Sequence, residues 1–169
     1  MKNVEVVNQI IEKLKLAEHP EGGYYKEVYR SEMLISNKEL GKSFNGDRNV
    51  STSIYFLLTS DTFSAFHKIK QDELWHFYKG TAIEIHIIHL DGKYERKIVG
   101  TDLLNHEVPQ VVIPANTWFA AKVIQDDSYG LVGCTVAPGF DFRDFELANT
   151  LDLRAAFPEY SELIQKFTR

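Results

Sequence analysis

The chain has 169 residues, 44% of them hydrophobic and 25% charged, and a net charge of −5 at neutral pH. That length and balance are enough for one full hydrophobic core, so a single domain over residues 1–169 is expected. The negative charge and the lack of any Lys/Arg run argue against nucleic acid or an anionic membrane as partner, because both are held chiefly by neutralising phosphates.

Cys134 is the only cysteine, so no disulfide can form within the chain. Its apolar and small neighbours, GLVGCTVAPG, point to an inert thiol, and the pattern suits a reducing compartment. Residues Met1 to Leu16 interrupt their apolar positions with Glu5, Glu12 and lysines, which gives no signal-peptide core. No run of about 20 apolar residues occurs, so no membrane span is expected and the cytoplasm is the expected location.

Val4, Val7, Ile10, Ile11 and Leu14 recur at steps of three and four, the stripe of a short helix with Asn3 as N-cap. The helix is expected to stop near His19-Pro20, and Glu21-Gly22-Gly23 to turn the chain. Tyr24 to Arg30 reads as a strand, and Ser36 to Asn49 as a polar loop. Strand signals then crowd together over 53–58, 63–69, 74–78, 82–90, 94–99, 110–113, 118–123 and 130–136, with turn residues between them. Many short strands with regular turns mean an antiparallel sandwich or barrel. Pro158 opens a last short helix through Leu163, Ile164 and Phe167.

Chemistry concentrates in HKIKQDELWHFYKGT, residues 67–81. His67, Ile69, Glu73 and Gly80 fall at the intervals of the first cupin motif, with Ile69 where that motif has a second His. Pro114-Ala115-Asn116 followed by Phe119 resembles the second motif, with its Gly and its His replaced. Four further segments carry a closer likeness: PEGGYYKEVYRS (20–31), DELWHFYKG (72–80), IPANTWFAA (113–121) and GCTVAPGFDFRDFELA (133–148). Together they resemble an uncharacterised cupin subfamily, long labelled a domain of unknown function, over nearly the whole chain. The resemblance implies an all-β fold, a double-stranded β-helix (jelly-roll) cupin barrel with short terminal helices, commonly dimeric, with a pocket inside the barrel.

A catalytic first-row metal normally has three or four protein ligands. Carried over by residue, the cupin set leaves only His67 and Glu73, since Ile69 and Phe119 stand where two imidazoles would be, so no metal or other cofactor is expected. Strand alternation puts Trp75 and Phe77 on the face of Glu73 and sends His76 to the other side. On the following strand Glu84 and His86 share one face, and Ile83, Ile85 and Ile87 the other. The cupin likeness implies that Glu84 and His86 look inward. His19, His89 and His106 sit beside turn residues and are read as exposed.

The resulting expectation is a small-molecule ligand, polar and carbohydrate-like, in a pocket lined by His67, Ile69, Glu73, Trp75, Glu84, His86 and Phe119. The alternatives are a metal-free epimerase or isomerase, with His67 as general base and Glu73 orienting it, and a metal-dependent cupin enzyme using the same pair as ligands. The remaining possibility is a barrel packed solid with no chemistry. A homodimer is expected, with the strand at Tyr24 to Arg30 hiding its edge against a second copy.

Overall fold

A computed structural model describes residues 2–169. Helix α1 (Lys2–Leu14) is followed by strands β1 (Ala17–Glu18), β2 (Tyr24–Arg30) and β3 (Leu34–Ile35), helix α2 (Asn37–Leu40), and strands β4 (Arg48–Asn49) and β5 (Thr52–Thr59). The barrel continues with β6 (Ser64–Lys68), β7 (Asp72–Gly80), β8 (Ile83–Ile88), β9 (Tyr94–Val99), β10 (Gln110–Ile113), β11 (Trp118–Val123) and β12 (Tyr129–Ala137). Strand β13 (Glu146–Leu147) and helices α3 (Thr150–Ala156) and α4 (Ser161–Lys166) close the chain.

Two antiparallel sheets face each other, a six-stranded one in the order β1-β2-β5-β12-β7-β10 and a five-stranded one in the order β13-β6-β11-β8-β9. This is the cupin jelly roll. Its interior is filled by alternate residues of both sheets, among them Phe56, Leu58, Trp75, Ile83, Ile85, Ile87, Phe119 and Val132. The period-two pattern of these strands creates that arrangement, since every second side chain points between the sheets.

Both outer faces are covered as well. Val7, Ile10, Ile11 and Leu14 of α1 lie with Leu57 and Tyr129 on the back of the six-stranded sheet. Phe66, Ile88, Trp118 and Ala120 on the back of the other sheet are covered by Leu153, Phe157, Ile164 and Phe167 from the C-terminal segment. Helix α1 ends at Leu14, earlier than His19-Pro20, because Lys15 turns with φ +54° and the chain then pairs as β1. The polar stretch at 36–49 contains α2 and β4, and α3 adds a second C-terminal helix that the sequence pattern did not reveal.

Strand β2 is internal in its first half: Ala17 and Glu18 pair with Tyr25 and Tyr24. Beyond that point, among the described residues, only β5 pairs with it, so the edge from Lys26 to Arg30 is open. No helix among the described residues is long and apolar enough to cross a membrane.

Candidate functional site

A cavity of about 460 Å³ occupies one end of the barrel interior. Strand β5 contributes Thr52, Ile54 and Phe56 to its wall, and His67, Ile69, Glu73, Cys134 and Val136 complete that wall. Phe140, Phe142 and Phe145 form an aromatic roof, while Tyr25, Glu27 and Arg30 stand along β2. His19 and Glu21 enter from the turn that precedes β2.

That turn depends on glycine. Gly22 has φ +113°, and a Cβ there would sit 2.1 Å from the carbonyl oxygen of Phe63. Only a residue without a side chain permits both the backbone conformation and the approach. The turn is closed by His19 N–H to Gly23 O at 3.0 Å and pinned to β6 by Ala65 N–H to Glu21 O at 2.8 Å. Glu21 is thereby carried into the barrel, where its side chain is 8% exposed.

Glu21 is the centre of a polar cluster. Its Oε1 accepts from the Ser64 hydroxyl at 2.8 Å. Its Oε2 lies 3.1 Å from Nε2 of His67 and 3.3 Å from Nδ1 of His19. Nδ1 of His67 is 2.7 Å from the carbonyl oxygen of Ala65, and Nδ1 of His19 accepts from the Glu21 N–H at 3.3 Å. Burial pushes the Glu21 carboxyl above the ordinary carboxylate range and pulls both imidazoles below theirs. The rings of Phe119 and Phe145 hold the His67 imidazole, with centroids at 4.0 and 5.4 Å.

Glu73 faces the cavity from β7. The indole N–H of Trp75 donates to its Oε1 at 3.0 Å, and the Cys134 thiol is its other neighbour. Burial, with the nearby Glu21 carboxyl, raises its pKa to about 7, despite the opposing pull of His67. Burial also pushes the Cys134 thiol well up, which leaves it protonated and inert.

The aromatic roof is anchored by a buried ion pair. Nε and Nη2 of Arg48 donate to Oδ2 and Oδ1 of Asp144, both at 2.7 Å, and Gln71 donates to the same carboxylate at 2.8 Å. Nη1 of Arg48 reaches the carbonyls of Asn45, Gly46 and Asp47. Burial would raise the Asp144 carboxyl, but the bonds from Arg48 and Gln71 outweigh it and leave it below the usual range. At the cavity rim Arg30 donates to both carboxylate oxygens of Glu27, to Asn49 and to Phe140 O.

Of the residues expected from the sequence, His67, Ile69 and Glu73 line the cavity. Trp75 and Phe119 lie one layer behind, in the packed core, touching Glu73 and His67. Glu84 and His86 are placed differently from expectation: they point out of the barrel. Ile83, Ile85 and Ile87 take the inward positions of β8, and His86 packs on Phe167 and Tyr94 under the C-terminal segment. Its Nδ1 is 2.7 Å from the Tyr94 hydroxyl, and its Nε2 is 2.7 Å from Glu84, outside hydrogen-bonding geometry. Glu84 is held by Arg96 at 2.7 Å.

Two further expectations are corrected. His19 is not exposed at a turn, since its side chain is 7% exposed within the cluster. The carboxylate against His67 is Glu21, not Glu73. Sequence reasoning missed His19 and Glu21; the available signal was a histidine and an acid beside a Gly-Gly turn in HPEGG.

A cupin-type metal centre does not fit these residues. Ile69 and Phe119, both buried, occupy two of its ligand positions. The lone pair of His19 Nδ1 is taken by the Glu21 N–H, and no group of three or more His, Cys, Asp or Glu among the described residues is arranged to hold an ion.

Comparison with known proteins adds the family context. A family model described as "Cupin superfamily (DUF985)" matches residues 8–148. An uncharacterized protein of Saccharomyces cerevisiae is 33% identical over 150 residues, 82% of this chain and 73% of that one. A crystal structure of a Shewanella oneidensis protein is 37% identical with a TM-score of 0.85, covering 96% of each chain. A hypothetical protein from Leishmania major is 33% identical with a TM-score of 0.87, over 95% of this chain and 97% of that one. Oxalate decarboxylase from Bacillus subtilis, at 15% identity and a TM-score of 0.53 over 36% of its length, shares the fold alone.

Proposed function

The chain belongs to the Cupin superfamily (DUF985) family, and from that premise and the cavity geometry we propose that it binds a small, polar, carbohydrate-like metabolite without a metal ion. One observation carries the reading: the cavity brings Glu21, His19, His67 and Glu73 together against a wall and roof of Phe56, Phe140, Phe142 and Phe145. Apolar faces of a ligand gain from the rings, while the few convergent polar groups fix its orientation. A thermal-shift screen of metabolites, run on protein purified without a metal column, tests it. A saturable rise with one compound is expected, because a ligand that binds only the native state stabilises by mass action. Stoichiometric transition metal on which that rise depends overturns the metal-free reading.

Glu73 favours a second reading, proton transfer on the bound ligand as in an epimerase or isomerase. A carboxyl with pKa about 7 that borders the cavity is suited to a general base at neutral pH. Both nitrogens of His67 face protein groups, so in this reading Glu73 takes the proton and His67 holds the pocket in shape. The support from other metal-free cupins is an analogy of fold. Exchange of a ligand C–H in deuterated water, abolished in Glu73→Gln while affinity persists, is the expected result; a bound ligand with no exchange overturns it.

The open edge of β2 is assigned to a homodimer contact. Val28, Tyr29, Met33 and Leu34 are exposed beside it, an apolar strip on an unpaired edge. Light scattering at micromolar concentration is expected to give twice the chain mass, and a monomer mass overturns the assignment.

A further inference from the structure

We propose that Glu21 stands in the cavity as a neutral carboxylic acid whose Oε2–H donates to Nε2 of His67, with Nδ1 of His19 beside the same oxygen. The polar end of the cavity then carries no positive charge, and it selects a neutral hydroxylated ligand over an anion. The first half is independent of the ligand; the second rests on the binding reading above.

Hydrogen-bond roles lead to this assignment. A carbonyl oxygen only accepts, so the 2.7 Å contact with Ala65 O puts the proton of His67 on Nδ1. The neutral ring then offers a lone pair at Nε2, which is 3.1 Å from Glu21 Oε2. At His19 the Glu21 N–H donates to Nδ1, so that nitrogen is a lone pair too, and it lies 3.3 Å from the same oxygen. An ionised Oε2 sets lone pair against lone pair at His19 and demands a buried imidazolium at His67. A protonated Oε2 donates to Nε2 of His67 and leaves a neutral oxygen, not an anion, beside the His19 lone pair. Oε1 then acts as the acid's carbonyl oxygen and accepts from Ser64 at 2.8 Å.

The surroundings agree. Burial is the largest influence on the Glu21 carboxyl and favours its protonated form. His19, the Ser64 hydroxyl and the guanidinium of Arg169 draw Glu21 the other way, but burial outweighs them, and Arg169 is exposed and donates to Thr62 and Phe63 O. Burial of all three members of the cluster favours their uncharged forms. Among the described residues Arg30 is the one arginine on the cavity wall, and it already donates to Glu27, Asn49 and Phe140 O, so a phosphate or carboxylate there competes with these partners.

Nitrogen-15 NMR of the imidazoles in the ligand-free full chain at pH 7 tests the protonation. His67 is expected to carry a proton on Nδ1 alone and His19 on Nε2 alone, with the same pattern in Glu21→Gln, whose amide supplies the same donor. Glu21→Ala is expected to keep the Nδ1 proton, which Ala65 O still accepts, and to shift the Nε2 resonance as that nitrogen loses its donor. A doubly protonated His67 in the native chain, turning neutral in Glu21→Gln, overturns the proposal. Should the Gln variant not fold, the infrared carbonyl stretch of a protonated carboxyl in Glu73→Gln, which removes the other cavity acid, decides: its presence at pH 7 supports, its absence overturns. The ligand class is tested by thermal shift with pentoses, hexoses and their polyols against the corresponding sugar phosphates and aldonic acids. Stabilisation confined to the neutral compounds supports the selection, and stabilisation by the anions overturns it. No stabilisation by any member overturns the carbohydrate reading, while the NMR result still decides the state of Glu21.

Discussion

His67 and Glu21 approach to 3.1 Å at the joint between β6 and the turn that follows β1, so two segments distant in sequence meet at a single pair of atoms. The barrel strand supplies one partner and a glycine turn supplies the other. The cavity's polar end therefore depends on a segment outside the cupin motif.

Gly22 is the sensitive point of that joint. Gly22→Ala places a methyl 2.1 Å from Phe63 O at φ +113°, and is expected to destabilise by about 1–3 kcal/mol and to alter the His67 resonances. Gly41→Ala is the control, with φ +80° but open space around it, and is expected to lose only about 1 kcal/mol. Denaturant unfolding of the two variants measures the difference.

The raised pKa of Glu73 makes stability depend on pH. The folded chain keeps this proton up to about pH 7, whereas the unfolded chain releases it near 4.5. Its contribution is complete below pH 4.5 and is lost as pH rises through 7, on the order of 3 kcal/mol in all. Glu73→Gln is expected to remove that loss and so gain relative stability at pH 8 over pH 5, as read from urea midpoints. An unchanged pH profile contradicts the assignment. Below about pH 6.5 the lowered imidazoles of His67 and His19 act in the opposite direction, since protonating them favours the unfolded chain.

The roof over the cavity is held by Arg48 and Asp144. Arg48→Met leaves a buried carboxylate without its partner and is expected to destabilise by about 3–5 kcal/mol. Adding Asp144→Leu is expected to restore much of that loss, because the pair is removed together. A double-mutant cycle by thermal or chemical unfolding checks both steps.

His86 lies on the outer face of β8, so His86→Ala is expected to cost about 1–3 kcal/mol of stability, from the lost Tyr94 bond and the contact with Phe167. It is expected to leave any ligand-induced thermal shift unchanged. A lost shift in a folded variant contradicts the outward placement.

The strands were legible because β-branched and aromatic residues gather in short runs between turn residues, as in TSIYFLLT and WFAAKV, and His67, Ile69 and Glu73 followed from motif spacing. At β8 two cues disagreed. The isoleucines at 83, 85 and 87 marked the inward face by periodicity, while the cupin likeness turned Glu84 and His86 inward. Periodicity prevailed, since three buried isoleucines fill the interior and the C-terminal helices cover the opposite face. His19 and Glu21 were not legible as site residues, because their position depends on a tertiary contact between the Gly22 turn and β6. Helix α3 escaped notice because its amphipathic stripe is short, with Leu153 its one buried residue.

Ligand binding inside the barrel is tested most directly by filling the cavity without touching its polar groups. Ile54 lines the wall, and Ile54→Trp places an indole in the ligand's volume. The expected result is a metabolite that raises the melting temperature of the native chain saturably and has no effect on Ile54→Trp. An equal rise in both proteins, or no stabilising compound across a broad metabolite library, contradicts it.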